Sequence, residues 1–194
     1  MSRYTKDLLK NYIDNNLLEV GEYTYGNPTI HHWGENSKLK IGNFCSISNK
    51  VEIFIGGEHR LDWISTYPFT VLWEEAKDIK GYPKDFDREK NKIGHDVIIG
   101  NDVWIGEGAM IMSGVKIGDG SVISARSLVY KNVKPYSVVG GNPAEFLFYR
   151  FSKETIDILL KLKWWNWTID KIKENIKILC SNNYIELLKI EKEI

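Results

Sequence analysis

Between Ile41 and Val129 the apolar positions recur every six residues, a spacing that belongs neither to an amphipathic helix nor to an alternating strand. Read in sixes from Ile93 the chain runs IGHDVI, IGNDVW, IGEGAM, IMSGVK, IGDGSV, ISARSL and VYKNVK. The first position then holds Ile93, Ile99, Ile105, Ile111, Ile117, Ile123 and Val129. The fifth holds Val97, Val103, Ala109, Val115, Ser121, Ser127 and Val133, all small or β-branched. Upstream, IGNFCS, ISNKVE and IFIGGE keep the register, with Cys45 and Val51 in the fifth slot. The pattern predicts a chain wound into a triangular prism, one short strand and one corner per hexapeptide. The first side chain fills the axis, and the fifth is small enough to share it. Three hexapeptides close one coil, successive coils pair as parallel strands about 4.8 Å apart, and roughly five coils are available. Gly, Asn and Asp follow the aliphatic residue repeatedly, as in Gly42–Asn43 and Gly100–Asn101–Asp102, and suit tight corners because they tolerate a left-handed backbone.

Beyond VYKNVK the period fades through PYSVVGGNPAEFLF, whose Pro, Gly and Asn turn the chain off the prism. Ser152 is placed to cap a helix carrying Ile156, Leu159, Leu160 and Lys163. Thr168 is placed to cap a second with Ile169, Ile172, Ile176 and Leu179. Trp164, Trp165 and Trp167 lie between them, either packing the tail or forming a platform for a ring-shaped ligand. These helices could also cover the open end of the prism. The expected organisation is an N-terminal helix and lead-in over 1–28, a β-helix over 29–144, and a helical tail over 145–194.

The beat stops once, at GGEHRLDWISTYPF, and the excursion over 60–92 is too long for a simple connector. Trp63, Tyr67, Phe69, Trp73, Tyr82 and Phe86 make it too aromatic for a solvated linker. It is expected to cover a groove built partly by another subunit. His59 stands where it departs, as a turn residue or as a general base, since imidazole titrates near neutral pH. His31 and His32 fall in an irregular segment ahead of the first coil, and His95 at a corner. Cys45, in an inward slot, reads as core rather than as a nucleophile.

Composition narrows the function. The 194 residues suffice for one full-sized domain, and 43% hydrophobic with 27% charged residues is an ordinary globular balance. Lys plus Arg equals Asp plus Glu at 26 each, which argues against nucleic acid as the partner. The two cysteines, Cys45 and Cys180, form no disulfide framework. Neither a signal-peptide core nor a membrane-span-length apolar run occurs, so a cytoplasmic protein is expected.

The run GEHRLDWISTYPF resembles the NHRMD-STYPF loop of the xenobiotic acetyltransferases, which include the type B chloramphenicol and streptogramin A acetyltransferases. The resemblance continues through KLKIGNFCSI, IIGNDVWIG, SGVKIGDGSVI, GGNPA and KWWNW, from about Gly21 to Trp167. It implies a mainly β fold, a left-handed parallel β-helix with an extended loop and C-terminal α-helices. It implies a homotrimer with acetyl-CoA between adjacent prisms and no metal. His59 would be the general base, with Glu58 or Asp62 orienting its ring. Cofactor contacts are expected at Trp104, Gly106, Ser124, Ala125, Arg126, Asn142 and Pro143, with Arg126, Lys131 and Lys134 available to the phosphates. The acceptor, a small-molecule hydroxyl, is expected against Tyr25, Asp62, Ser65 and Tyr67. Competing readings are transfer to a sugar or nucleotide-sugar of an envelope glycan, a metal hydratase and a non-catalytic scaffold. The segment GEYTYGNPTIHHWGENSKLKIG departs from the antibiotic enzymes and puts the acceptor in question.

Overall fold

The computed structural model describes residues 4–33, 37–76, 79, 95–183, 186 and 190. The chain opens with short helices α1 (Thr5–Leu8) and α2 (Lys10–Asp14). It then forms β1 (Leu18–Val20), β2 (Thr29–His32), β3 (Leu39–Ile41), β4 (Ser46–Ile47) and β5 (Glu52–Ile55). Helix α3 (Phe69–Leu72) lies in the excursion. The strands resume with β6 (Val97–Ile99), β7 (Trp104–Ile105), β8 (Met110–Ile111), β9 (Lys116–Ile117), β10 (Val122–Ile123), β11 (Leu128–Val129), β12 (Ser137–Gly140) and β13 (Glu145–Tyr149). Helices α4 (Lys153–Leu162) and α5 (Ile169–Leu179) follow.

The strands build three sheets, and each turn of the chain visits them in rotation. Sheet 1 is ordered β1-β3-β6-β9, sheet 2 is β4-β7-β10-β12-β13, and sheet 3 is β2-β5-β8-β11. All pairings are parallel except β12 with β13. The register matches the sequence period: Ile41 lies beside Ile99 and Ile99 beside Ile117, Ile47 beside Ile105 and Ile105 beside Ile123. On sheet 3, Ile53, Ile111 and Val129 form the equivalent column. These first-position side chains are at most 4 % exposed, and the fifth-position residues Cys45, Val51, Val97, Val103, Ala109, Val115, Ser121 and Ser127 are buried with them. Ile93, the first residue of the longest unbroken run, lies outside the described residues, as do Tyr82 and Phe86.

Three expectations need correction. The prism begins at Leu18 rather than at residue 29, because β1 pairs with β3 and Tyr25 bridges to Ser46. His31 and His32 are therefore strand residues, paired with Phe54 and Ile55. The segment from residue 145 opens as strand β13, not as helix, because it folds back antiparallel on β12. The left-handed backbone falls at the fourth position of the hexapeptide, at Phe44, Lys50, Asp102 and Arg126 and at Gly108, Gly114 and Gly120. The second-position glycines have another reason. A Cβ on Gly106 would sit 2.5 Å from the Ala125 nitrogen of the next coil, and one on Gly42 2.6 Å from the Gly100 carbonyl oxygen. They let the coils stack closely.

Between sheets 1 and 2 the corners are tied by a side-chain ladder. Asn43 N–H donates to Asn101 Oδ1 at 2.8 Å, and Asn101 N–H to Asp119 Oδ1 at 2.7 Å. On the same corners sits a second core of Tyr136, Leu159, Leu162 and Trp165, with the Phe44 ring tilted against Trp164 at 4.9 Å. Ser152 and Thr168 accept from the Thr155 and Lys171 N–H groups as caps of α4 and α5. The tryptophans thus pack the tail against the side of the prism rather than over its end. Leu9, buried with the main core, closes the N-terminal end. At the other end a cleft of about 400 Å³ remains, lined by Val129, Val133, Val139 and Ala144.

Candidate active site

The excursion leaves sheet 3 at Ile55 through two glycines in the left-handed region, Gly56 (φ 115°) and Gly57 (φ 87°). Trp33 lies across the second: a Cβ on Gly57 would fall 2.5 Å from its ring. His31, Trp33 and Phe54 stack beside it, with His31 and Phe54 rings 4.5 Å apart. Two residues beyond Gly57, the His59 ring is fixed by one bond, Nδ1 to the Thr66 carbonyl oxygen at 2.6 Å. A carbonyl only accepts, so Nδ1 carries a proton, and in the neutral ring Nε2 keeps its lone pair. His59 is exposed in the single chain. Its tautomer is that of a base.

Neither expected carboxylate holds the ring. Asp62 is taken by Arg60, whose Nε donates to Oδ1 at 2.6 Å while the terminal nitrogen reaches Oδ2. That bond holds the Asp62 carboxyl below its usual range. The Arg60 guanidinium also stacks over Trp63 at 5.3 Å. Glu58 is exposed, and the imidazole Nδ1 is bonded to Thr66 instead. Ser65 Oγ accepts from the Tyr67 N–H at 3.1 Å, and Tyr67, Phe69 and Trp73 pack in a row. Leu61, Ile64 and Leu72 project outward, 87, 111 and 63 % exposed. The loop carries an apolar surface that its own chain leaves uncovered.

Gly106, Ser124, Ala125, Arg126, Asn142 and Pro143 come together. They occupy the corners between sheets 2 and 3 in three successive coils, where Gly106 sits under Ala125 and Gly140 over Ser124. Trp104, half exposed, stands beside them on the outer face of sheet 2. Tyr25 joins that face through Ser46, which pairs with Trp104. His59, Asp62, Ser65 and Tyr67 instead cluster on the excursion, which departs from the opposite edge of sheet 3. The two groups of candidate residues therefore lie at different corners of one chain.

Cys45 is excluded from the chemistry. It is wholly buried, its Sγ lies 3.1 Å from the Gly100 carbonyl oxygen, and burial pushes its thiol up to about 12. Among the described residues no cluster of three or more His, Cys, Asp or Glu is arranged to hold a metal. No described helix is long and apolar enough to cross a membrane.

A model of the bacterial transferase hexapeptide family (six repeats) matches residues 92–131. Among curated proteins, a chloramphenicol acetyltransferase of Klebsiella aerogenes is 40% identical, covering 97% of this chain and 94% of that one. A probable macrolide acetyltransferase of Lysinibacillus sphaericus is 44% identical over 86% of this chain and 91% of its own length. A virginiamycin A acetyltransferase of Staphylococcus aureus is 41% identical over 96% and 87%. The chain belongs to the xenobiotic acetyltransferases. It is an acetyl-CoA-dependent acetyltransferase.

Two features of this acetyltransferase site escaped the sequence. The Thr66 carbonyl is main chain and has no letter of its own. Trp33 is separated from Gly57 in sequence, and only the pairing of β2 with β5 brings them together. The Arg60–Asp62 pair did carry a signal, opposite charges two residues apart in a loop, which competes with any role of Asp62 in holding the histidine.

Proposed function

We propose that the enzyme transfers the acetyl group of acetyl-CoA to a hydroxyl of an antibiotic-type small molecule. The site is assembled between subunits of a homotrimer whose prisms are left-handed coils, and it works in the cytoplasm, where the cosubstrate is made. The observation that carries this reading is the bond from His59 Nδ1–H to the Thr66 carbonyl, which leaves an exposed Nε2 lone pair. Nε2 removes the hydroxyl proton as the acceptor oxygen attacks the thioester carbonyl. The tetrahedral oxyanion is stabilised by N–H or polar side-chain donors. When it collapses, the carbon–sulfur bond breaks, and the imidazolium returns the proton to the leaving thiolate, giving an acetyl ester and free CoA. No covalent enzyme intermediate is required.

The cofactor is assigned to the stacked corners of Gly106, Ser124, Ala125, Arg126, Asn142 and Pro143, with Trp104 at their side. Small side chains there allow backbone amides to approach the pantetheine arm. The acceptor is assigned to Asp62, Ser65 and Tyr67 on the loop and Tyr25 on the facing prism. Two supports favour a shared site: the half-sites lie at different corners of one chain, and Leu61, Ile64 and Leu72 lack cover of their own.

The relatives are named for three antibiotic types at nearly equal identity, so overall likeness does not choose the acceptor. The test is thiol release from acetyl-CoA in the presence of chloramphenicol, a macrolide, virginiamycin A or a nucleotide-activated sugar. Acceptor-dependent release with one of the antibiotics is expected. Release only with the sugar would move the enzyme to glycan synthesis, and no release with any acceptor, together with no CoA binding, would leave a scaffold.

A further inference from the structure

Strand β13 carries four consecutive large apolar side chains at the surface: Phe146, Leu147, Phe148 and Tyr149, each 44 to 57 % exposed. It is the last strand of sheet 2, hydrogen-bonded to β12 along one edge and to no described strand along the other. Both its faces and its outer edge are open, a combination that folded proteins normally cover or blunt with charge. Beside it lies the cleft of about 400 Å³ at the end of the prism, where core positions Val129, Val133, Val139 and Ala144 meet Phe146 and Tyr149.

The order of residues in the strand indicates what covers it. Glu145-Phe146-Leu147-Phe148-Tyr149-Arg150 is close to a chemical palindrome. An antiparallel copy related by a two-fold axis between Leu147 and Phe148 sets Glu145 against Arg150 of the partner subunit. It also sets Phe146 against the partner's Tyr149, and Leu147 against the partner's Phe148. Each end is an opposite-charge pair, and the middle is wholly apolar, the arrangement that cross-strand pairing favours. Shifting the register by two residues forfeits both ion pairs. In the single chain the Arg150 guanidinium is turned back toward the inner coils, with Nη1 donating to the Gly120 carbonyl at 2.6 Å and the guanidinium stacked on Phe151 at 5.1 Å. Its side chain is 30 % exposed and faces Asp102 at 3.5 Å, and pairing with the partner's Glu145 requires it to turn outward. Glu145 is shared only with Lys131, in an exposed pair at 3.4 Å.

We propose that β13 is a self-pairing edge through which two copies of the chain join end to end, continuing sheet 2 across the junction and closing both open prism ends. The contact is isologous and uses up both edges, so it stops at two instead of growing into a filament. The register break between Val138 and Val139, which makes Leu147 the extra residue opposite β12, bends the strand and disfavours longer stacks. Strands run across the prism axis, so this two-fold is compatible with a three-fold along it. If the trimer reading holds, the product is a hexamer with three such junctions, but the doubling itself does not depend on that reading.

Light scattering coupled to size-exclusion chromatography tests it, on the full chain at micromolar concentration. The wild type is expected at twice the mass of the Leu147→Lys/Phe148→Lys variant, which places lysines against lysines at the axis. Far-UV circular dichroism and CoA release of the variant should match the wild type, showing that it has folded. A gentler variant, Glu145→Arg, should dissociate the doubled species at low salt and recover it at high salt. Equal masses for wild type and the double-lysine variant overturn the proposal, and a doubled mass in a protein that never releases CoA would sink the enzymatic reading while leaving this one standing.

Discussion

A single main-chain carbonyl holds the ring of His59, the proposed base. In a catalytic triad the histidine is oriented by a carboxylate, and removing that charge costs about 10⁴ in turnover. Here Thr66 supplies a neutral acceptor, and Asp62 is committed to Arg60. His59→Ala should therefore lower kcat by about 10²–10⁴, the worth of a general base, with acetyl-CoA affinity unchanged by calorimetry. Asp62→Asn should lower kcat by less than about tenfold, well short of the loss expected of an orienting carboxylate. A ten-thousandfold loss in Asp62→Asn would reverse the assignment. The other informative residue is Cys45, whose thiol rises from an ordinary 9.0 to about 12 in the fold. The unfolded chain loses that proton first, so the contribution is fully present below about pH 9 and is lost as pH climbs toward 12. The loss is about 1.4 kcal/mol per pH unit. Urea unfolding between pH 8 and 10.5 should show this decline in the wild type and a shallower one in Cys45→Ala. At this scale the sequence was legible where a residue type carries the information, as with the buried slot of Cys45. It was silent on Thr66, where the acting atom belongs to the backbone.

At the scale of elements, the six-residue period located β3 to β11 because each coil there repeats the same steric problem, one aliphatic residue on the axis with a small one beside it. The end coils solve different problems. Gly21 after β1 and Gly26 after Tyr25 stack as closely on the next coil as Gly42 does, but the spacing between them is not six, so the first coil hides its period. Strand β13 reverses direction, and no period of six can announce an antiparallel return. The tryptophan tail was ambiguous in the sequence because an indole serves a ligand platform and a packed core equally well. Burial decides: Trp165 is 3 % exposed in the second core, and Trp167 Nε1–H donates to the Leu162 carbonyl at 3.2 Å. Trp165→Ala should accordingly destabilise the protein by about 3–5 kcal/mol, seen as a lower melting temperature. At temperatures well below that transition, KM for acetyl-CoA and kcat should stay at wild-type values. A raised KM in a folded Trp165→Ala protein would restore the platform reading.

For the whole molecule, the decisive matter is that the proposed base and the proposed cofactor corners lie at different corners of one chain. His59 hangs from the far edge of sheet 3, and the Gly106, Ser124 and Ala125 corners line its near edge. A site between subunits makes a prediction that a site within one chain cannot. Two inactive variants, His59→Ala and Ala125→Tyr, each destroy a different half. Ala125 is exposed at its corner, so the bulky side chain blocks the pantetheine path without invading the core. In the proposed trimer, the two chains mixed one to one by unfolding and refolding distribute at random around a closed ring. Each interface takes its base from one subunit and its corner from the next. A site is intact only when an Ala125→Tyr chain supplies the base and a His59→Ala chain supplies the corner, so about a quarter of wild-type activity should return from two inactive parents. Refolding each variant alone controls for recovery that owes nothing to mixing. If every site lies within one chain, no mixture contains an intact one and activity stays at the level of the parents, so the size of the recovery measures directly whether the two halves meet across a subunit boundary.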